Sequence, residues 1–531
     1  MIPVYPDFYN DVFGPIMQPF SSAHTAGPCR MGYLAGCLLG EEPVDIRIQM
    51  DPNSTWITTF GQQNEDLALL SGCTGHLPHD AVLFRMREYC REHGIEYKFL
   101  FEPLAESSHH SAAKLTLTGA SGKQVEMVNQ SLGGGLVATT SIEGYPVDVR
   151  GDTYVLLVFD PENKAPHDAL LAAMQARCEL VGDGCAGQEK AGVLHWFKTP
   201  DAPPRADDVA PGLRVEVLKP FTAVITRSDK KPQLFTTMTE WRALAEERGK
   251  GLADIAIEYE MSSSGWTREE VITYMRDVIR VKMHRATHAI YEENITLRKT
   301  PFSTADYDTW DQYCGETAPL CGPTVAKALH YAHAAMTAIP GVEFVPGPMG
   351  SGGGLIYSAL CAVKEERGYS DEDLLRGLLI AAGVGAICFT HSEPGGGNVG
   401  CMGEIGMCGA MAAAAVTEMC GGTPQQVENA AAMSMMIAVG WPCDPTSGAK
   451  GNPCGTRGLQ AIAMALTFSD IARSGRDAVF PFHEVLQVAD QTGRLLPPTC
   501  RGSEHGGHCA SPTGKACIAA FRTWRKTFAD R

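Results

Sequence analysis

NVGCMGEIGMCGAMAAAA (residues 398–415) and GWPCDPTSGAKGNPC (440–454) frame an Ala/Met-rich run from Gly409 to Val439. The run reads as helix, interrupted at GGTPQQ. Its flanks read as loops, because Gly permits backbone angles other residues avoid and Pro fixes turns. Four cysteines, Cys401, Cys408, Cys443 and Cys454, sit in or beside those loops. Three thiolates on loops held by helices make a socket for an iron–sulfur cluster with one iron left open. The alternative is the commoner one for reduced cysteines, small apolar residues buried in a core. No CxxC or CxxxCxxC pattern occurs, so the spacing supports neither a ferredoxin nor a zinc ribbon.

Outward from this stretch the chain divides by pattern. Residues 234–531 are dominated by helical periodicity: 237–261, 267–293, 322–341, 371–391, 458–475 and 481–496 carry capping signals or apolar residues at helical spacing. GPMGSGGGLIYSALCAV (347–363) is a glycine turn entering an apolar helix, where Ser351 and Gly352 are placed to meet a ligand anion. The tail CRGSEHGGHCASPTGKAC (500–517) reads as loop.

Upstream, strands alternate with helices. SSAHTAGPCRMG (21–32) puts Ser22, His24, Thr25 and Gly27 before a helix. Small hydroxyl residues and Gly at a helix start expose backbone N–H groups to a carboxylate, or simply cap the helix. LALLSGCTGHLPHDAVL (67–83) places His76, His79 and Asp80 at a second turn. Residues 113–141 read as a strand, an ASGK turn, a second strand and a GGG. In 145–228 the order YVLLVF, a helix at 167–180 and AGVLHWFKT gives a β-α-β start that fits an ACT-like regulatory module or an inert spacer. SDKKPQ (228–233) reads as a linker. The expected fold is α+β and multidomain: an N-terminal α/β layer domain (1–144), a small ACT-like βαβ module (145–228) and a large all-helical C-terminal domain (229–531).

A net charge of −17 and a pI near 5.4 argue against nucleic acid or an anionic membrane as the main partner. The start MIPVYPDFYNDVF lacks the basic and apolar regions of a secretory signal, and no apolar run approaches a membrane span. Eighteen cysteines without an export signal read as reduced thiols, so a cytoplasmic location is expected.

Taken together the motifs resemble the iron–sulfur-dependent L-serine dehydratases (L-serine ammonia-lyases), with β-type and α-type parts fused. SSAHTAGPCR, LALLSGCTGHLPHDAVL and QSLGGGLV resemble segments of the β part. EYEM, PMGSGGG, GCMGEIG, GGTPQQVENAA, CDPTSG, NPC and SEHGGHCA follow the α part in order. The resemblance implies a 4Fe-4S cluster on Cys401, Cys443 and Cys454, with Cys509 or Cys517 as candidate fourth ligand. It implies elimination from L-serine or a close 3-substituted amino acid to a 2-oxo acid and ammonia. His24 and His76 are the candidate bases or carboxylate-positioning groups. Ser22, Thr25, Gly27, Ser351, Gly352 and His391 are candidates for binding a small amino-acid substrate, in a homodimer. The sequence departs from the family at ALHYAHAAM (328–336), with His330, Tyr331 and His333, at HSEPGGGNVGC (391–401) and at CRGSE (500–504). Those departures suggest another substrate, such as L-cysteine, L-threonine or 3-hydroxyaspartate, or divergence that keeps serine. A non-catalytic amino-acid sensor and a site holding zinc with His391, His505 and His508 are the competing readings.

Overall fold

The computed structural model describes residues 5–19, 21–61, 63–188, 192–227, 232–293, 295, 307–447 and 453–529. It is mixed α/β, with sheets in the N-terminal region and helices in the C-terminal region. Two compact units emerge: residues 23–231, and residues 1–22 together with 232–531. Most of the expected linker 228–233 lies outside the described residues.

Among the described residues the sheet unit holds ten strands: β1 (Pro43–Met50), β2 (Glu96–Phe101), β3 (Ala112–Gly119), β4 (Gln124–Gly133), β5 (Leu136–Ile142), β6 (Tyr145–Val149), β7 (Tyr154–Asp160), β8 (Gly182–Gln188), β9 (Gly192–Thr199) and β10 (Arg214–Leu218). The first six form one sheet in the order β2-β1-β3-β4-β5-β6, parallel only between β1 and β2. β4 turns into β5 through Gly133, Gly134 and Gly135, all at positive φ, which L side chains adopt at a cost. Tyr145–Val149 completes this sheet and so falls before the second one begins.

The second sheet is antiparallel in the order β10-β7-β9-β8, with the helix His167–Gln175 after β7 and the short helix Ala206–Val209 before β10. β7 has no polar face because both faces are covered. Val155, Leu157 and Phe159 enter the core shared with the first sheet, while Leu156 and Val158 pack against Leu170 and Met174 of the helix. This double burial is why YVLLVF is continuously apolar.

Ile405–Met419 and Asp371–His391 are the central helices of the second unit. Both are buried along nearly their whole length. Asp371–His391 is long and apolar enough to cross a membrane, but here it is a core helix. Where the sequence suggested one helix over 237–261, there are two, Met238–Arg248 and Leu252–Ser264. The first closes on Gly249 at φ 60. Tyr5–Met17, grouped with the β-type part by sequence, packs in this unit. Phe8 stacks on Tyr259, its N–H donates to Glu260 Oε2 at 2.8 Å, and Met17 bridges Phe344.

Candidate functional site

Three elements deliver the three candidate sulfurs. Cys401 opens a tight turn into Ile405–Met419, after Gly400 at φ 78, where a Cβ would meet the Trp441 carbonyl at 2.5 Å. Cys443 is pinned by a two-way backbone bridge: its N–H donates to the Cys500 carbonyl, and its carbonyl accepts from Gly502 N–H, both at 2.8 Å. Cys454 is the second residue of the helix Pro453–Arg473. Cys401 and Cys443 share a buried cluster with Ile405 and Ala461, and Cys454, Met349 and Trp441 pack against it. Gly396 leaves the approach to Cys443 open, since a Cβ there would sit 2.5 Å from its Sγ.

The charge pattern suits a thiolate site. Hydrogen bonding from Cys443 and Cys454, aided by the Arg457 charge, holds the Cys401 thiol well below its ordinary range despite burial. Cys443 and Cys454, as donors to it, are held above theirs. Arg457 Nη1 lies 3.5 Å from Cys401 Sγ, 2.8 Å from the Pro442 carbonyl and 2.7 Å from Asp444 Oδ1. Burial alone would raise Asp444, but Arg457 and His508 outweigh it and keep the carboxylate ionised. His508 donates its N–H to Asp444 Oδ2 at 2.8 Å and brings Nδ1 to 2.6 Å. Gly507 allows this approach: it sits at φ 55, and a Cβ would come 2.3 Å from Asp444 Oδ2. Glu404 is pushed up to about 7, first by burial and then by the Cys401 charge.

A cluster needs sulfurs that give up their protons on binding, in a shielded pocket with compensating hydrogen-bond donors; three converging cysteines with Arg457 beside Cys401 fit that requirement. Among the described residues, two other groups bring three donor atoms within 4.8 Å of one another, His167–Cys185–His195 and His288–Cys361–Glu365.

The remaining candidates distribute as follows. Cys509 is buried with its Sγ 3.3 Å from Thr446 Oγ1, and Cys517 lies on the terminal helix Pro512–Ala529. Ser351 precedes the helix Gly352–Arg367 without capping it through its side chain. The Gly352 and Gly353 N–H groups donate to the Met349 and Val345 carbonyls at 2.7 and 2.9 Å, so they are already paired. His391 brings Nε2 to 2.8 Å from the Thr236 carbonyl. Ser22 donates to the Pro348 carbonyl at 3.3 Å.

His24, Thr25, Gly27 and His76 belong to the sheet unit. The helical path begins at Ser22 with a π-turn, Ser22–Ala26, so Gly27 is not its free start. Burial, with the His110 charge, lowers His24 to about 4. Thr25 donates to the Gln63 carbonyl at 2.8 Å. His76 Nδ1 is 3.5 Å from Asp80, and its Nε2 is buried without a hydrogen-bond partner among the described residues. The helix Gly27–Leu39 fits against Glu65–Cys73 through Gly32 and Gly72, with a Cβ at Gly72 meeting the Cys29 carbonyl at 1.9 Å. Cys29 Sγ then reaches the His76 carbonyl at 3.4 Å.

Sequence reasoning missed Arg457, Asp444 and Glu404 as members of the site and named His508 only as a ligand of an alternative zinc site. Asp444 and Glu404 stood in quoted motifs without a role. Arg457 was hidden because the helix was read from 458, whereas it starts at Pro453 and sets Arg457 one turn after Cys454. The departures at His330, Tyr331 and His333 contact Asp311, Glu365 and Trp310.

Comparison with known proteins follows the same division. A family model described as serine dehydratase alpha chain matches residues 247–508. The L-serine dehydratase alpha chain of Peptoniphilus asaccharolyticus is 28% identical over 285 residues, 53% of this chain and 96% of that protein. The probable L-serine dehydratase alpha chain of Latilactobacillus sakei is 33% identical over 169 residues, 32% of this chain and 81% of that protein. The L-serine dehydratase beta chain of Peptoniphilus asaccharolyticus is 27% identical over 154 residues, 29% of this chain and 68% of that protein. With alpha-chain and beta-chain relatives both matched, the chain belongs to the iron–sulfur-dependent L-serine dehydratase family, with β- and α-type parts on one polypeptide.

Proposed function

We propose that this lyase of the L-serine ammonia-lyase type eliminates water from L-serine, and that the resulting enamine tautomerises and hydrolyses to pyruvate and ammonia. The observation that carries the reading is the meeting of Cys401 and Cys443, both buried, with half-buried Cys454, where hydrogen bonds from the other two thiols and the Arg457 charge lower the Cys401 thiol. When bound, a 4Fe-4S cluster with an open iron supplies a Lewis acid for the departing hydroxide, a poor leaving group by itself. The three cysteines would hold it. Arg457 donates an N–H toward the Cys401 sulfur and balances its charge, and Asp444 fixes Arg457 in place. Gly396 keeps the space beside Cys443 clear of side chains.

Removal of the weakly acidic Cα proton needs a positioned base. His24 and His76 are the proposed base or carboxylate-positioning groups. His24 is neutral at physiological pH. The unpaired buried Nε2 of His76 is a group that a substrate atom would satisfy. Ser22, Thr25, Gly27, Ser351, Gly352 and His391 remain the proposed substrate contacts, and Cys509 is favoured over Cys517 as the cysteine that would cap the open iron when no substrate is bound, because it lies against Thr446 beside Asp444. The family departures at His330 and Tyr331 contact other helices, which supports serine over L-cysteine, L-threonine or 3-hydroxyaspartate. Residues Tyr154–Leu218, as β7 to β10 with two helices, have the βαββαβ order expected of an ACT-like regulatory module. A cytoplasmic homodimer completes the proposal.

Ammonia release from serine, threonine, cysteine and 3-hydroxyaspartate under anaerobic conditions tests the assignment. Serine turnover far above the others supports it; preference for another member of the panel sinks it.

A further inference from the structure

The helices Arg280–Glu292 and Gly352–Arg367 bring together a second set of metal-binding donors that the elimination chemistry does not use. His284 and His288 stand one turn apart on the first helix, Cys361 and Glu365 one turn apart on the second. His288 Nε2 lies 3.9 Å from Cys361 Sγ, and Cys361 Sγ lies 3.2 Å from Glu365 Oε1. The three donor atoms fall within 4.8 Å of one another. A tetrahedral zinc separates nitrogen and oxygen ligands from sulfur by about 3.5 Å, and the two measured distances bracket that value.

The surroundings prepare these atoms for an ion. His288 Nδ1 sits 2.6 Å from Thr287 Oγ1 and 3.2 Å from the His284 carbonyl. Thr287 Oγ1 lies 2.8 Å from that carbonyl as donor, so it accepts the Nδ1 proton and leaves Nε2 bare toward Cys361. Metal-binding histidines are commonly oriented in this way. Burial first, and then the neighbouring His284, lower His288 to about 4 and keep its ring neutral. Glu365 Oε2 lies 3.3 Å from Lys327 Nζ, and Tyr331 Oη reaches Oε2 at 3.0 Å and Oε1 at 3.1 Å, so the carboxylate is anchored with Oε1 against the sulfur. His288 and Cys361 are buried while Glu365 reaches solvent, so an ion has a way in. Tyr331 is one of the residues by which this chain departs from its family. Glu365 is 13 residues along its helix from Gly352, about 20 Å at 1.5 Å per residue. This places the group well away from the glycine turn beside the cysteine centre.

We propose that His288, Cys361 and Glu365 form a zinc site in the helical unit, separate from the Cys401–Cys443–Cys454 centre. On binding, Zn²⁺ takes the place of the Cys361 thiol proton, which leaves to solvent. The ion is then held by one thiolate, one imidazole and one carboxylate, with water in the fourth position. It ties the two helices together.

The test uses full-length, cluster-loaded protein purified anaerobically, stripped of loose metal and titrated with ZnCl₂ against a chelator. One zinc per chain is expected, with iron and sulfide unchanged. X-ray absorption should show one sulfur at about 2.3 Å and nitrogen or oxygen at about 2.0–2.2 Å. Cys361→Ser should weaken zinc binding more than about 100-fold, and Thr287→Val, which removes only the orienting hydroxyl, about 10–100-fold. Glu365→Gln, a partly exposed change, guards against a folding artefact and should also weaken binding. Absence of bound zinc, zinc bound equally by Cys361→Ser and Glu365→Gln, or zinc that enters only as iron leaves would each overturn the proposal.

Discussion

Replacing Arg457 by methionine removes the cation from a buried pair and keeps most of the side-chain volume. Asp444 has no exposed side-chain surface and Arg457 only 12%, so the pair is not a surface ion pair worth about 0–1 kcal/mol. In Arg457→Met, Asp444 keeps only the His508 contacts and the Pro442 carbonyl loses its partner. Stranding one partner of a buried pair costs about 3–5 kcal/mol. At about 2 °C per kcal/mol for a unit of this size, thermal unfolding should fall by about 6–10 °C. The assay is anaerobic calorimetry on cluster-free protein, so that metal binding does not enter the difference. The double variant Arg457→Met with Asp444→Leu should recover much of the loss, because the uncompensated charge is gone. A loss below about 1 kcal/mol, or a double variant less stable than the sum of the singles, would refute the role given to the pair.

Further outcomes follow from the same geometry. Gly507→Ala should destabilise by more than Gly249→Ala: both glycines have φ near +60°, but only Gly507 faces an atom within 4 Å, so comparative melting isolates the clash with Asp444 from the backbone strain of about 1–2 kcal/mol. Glu404 has a folded pKa above its ordinary one, so its neutral form stabilises the fold below pH 4.5, and that contribution is lost as pH rises through about 7. In cluster-free protein Glu404→Gln should therefore flatten the decline in stability over this window. The effect is at most about 3 kcal/mol, since the residue keeps a partly exposed edge. His24→Ala should abolish ammonia release while iron content and visible absorbance stay intact; near-normal turnover would remove His24 from the chemistry.

The helices were legible where a cap and a breaker both stood in the sequence. Ser370 with Asp373 closes a capping box at the predicted start of 371–391, and Thr423 with Gln426 closes another within the GGTPQQ interruption. The boundary at Gly249 was missed because periodicity continues across it, although the glycine cap was visible. The three candidate ligands could be named from motifs, but Asp444 and Arg457 could not be joined, because their contact depends on where a helix begins. His391 shows the limit most clearly. Its position beside the glycine-rich loop makes it a proposed substrate contact, but its hydrogen bond to Thr236, 155 residues away in the chain, was not legible. Pattern reports which face a residue occupies, whereas a partner from a distant segment is fixed only by tertiary packing. The helix Pro512–Ala529 was read as loop up to 517 because Ser511 and Pro512 stand at its start and Thr513 and Gly514 follow in its first turn.

The most direct measurement is iron and acid-labile sulfide per chain in protein purified without oxygen, alongside Cys401→Ser, Cys443→Ser and Cys454→Ser and with serine deamination recorded on each sample. Four iron and four sulfide are expected in the parent chain, with loss of colour and turnover together in each variant and no turnover without iron. A colourless, iron-free parent protein that still converts serine to pyruvate would contradict this expectation.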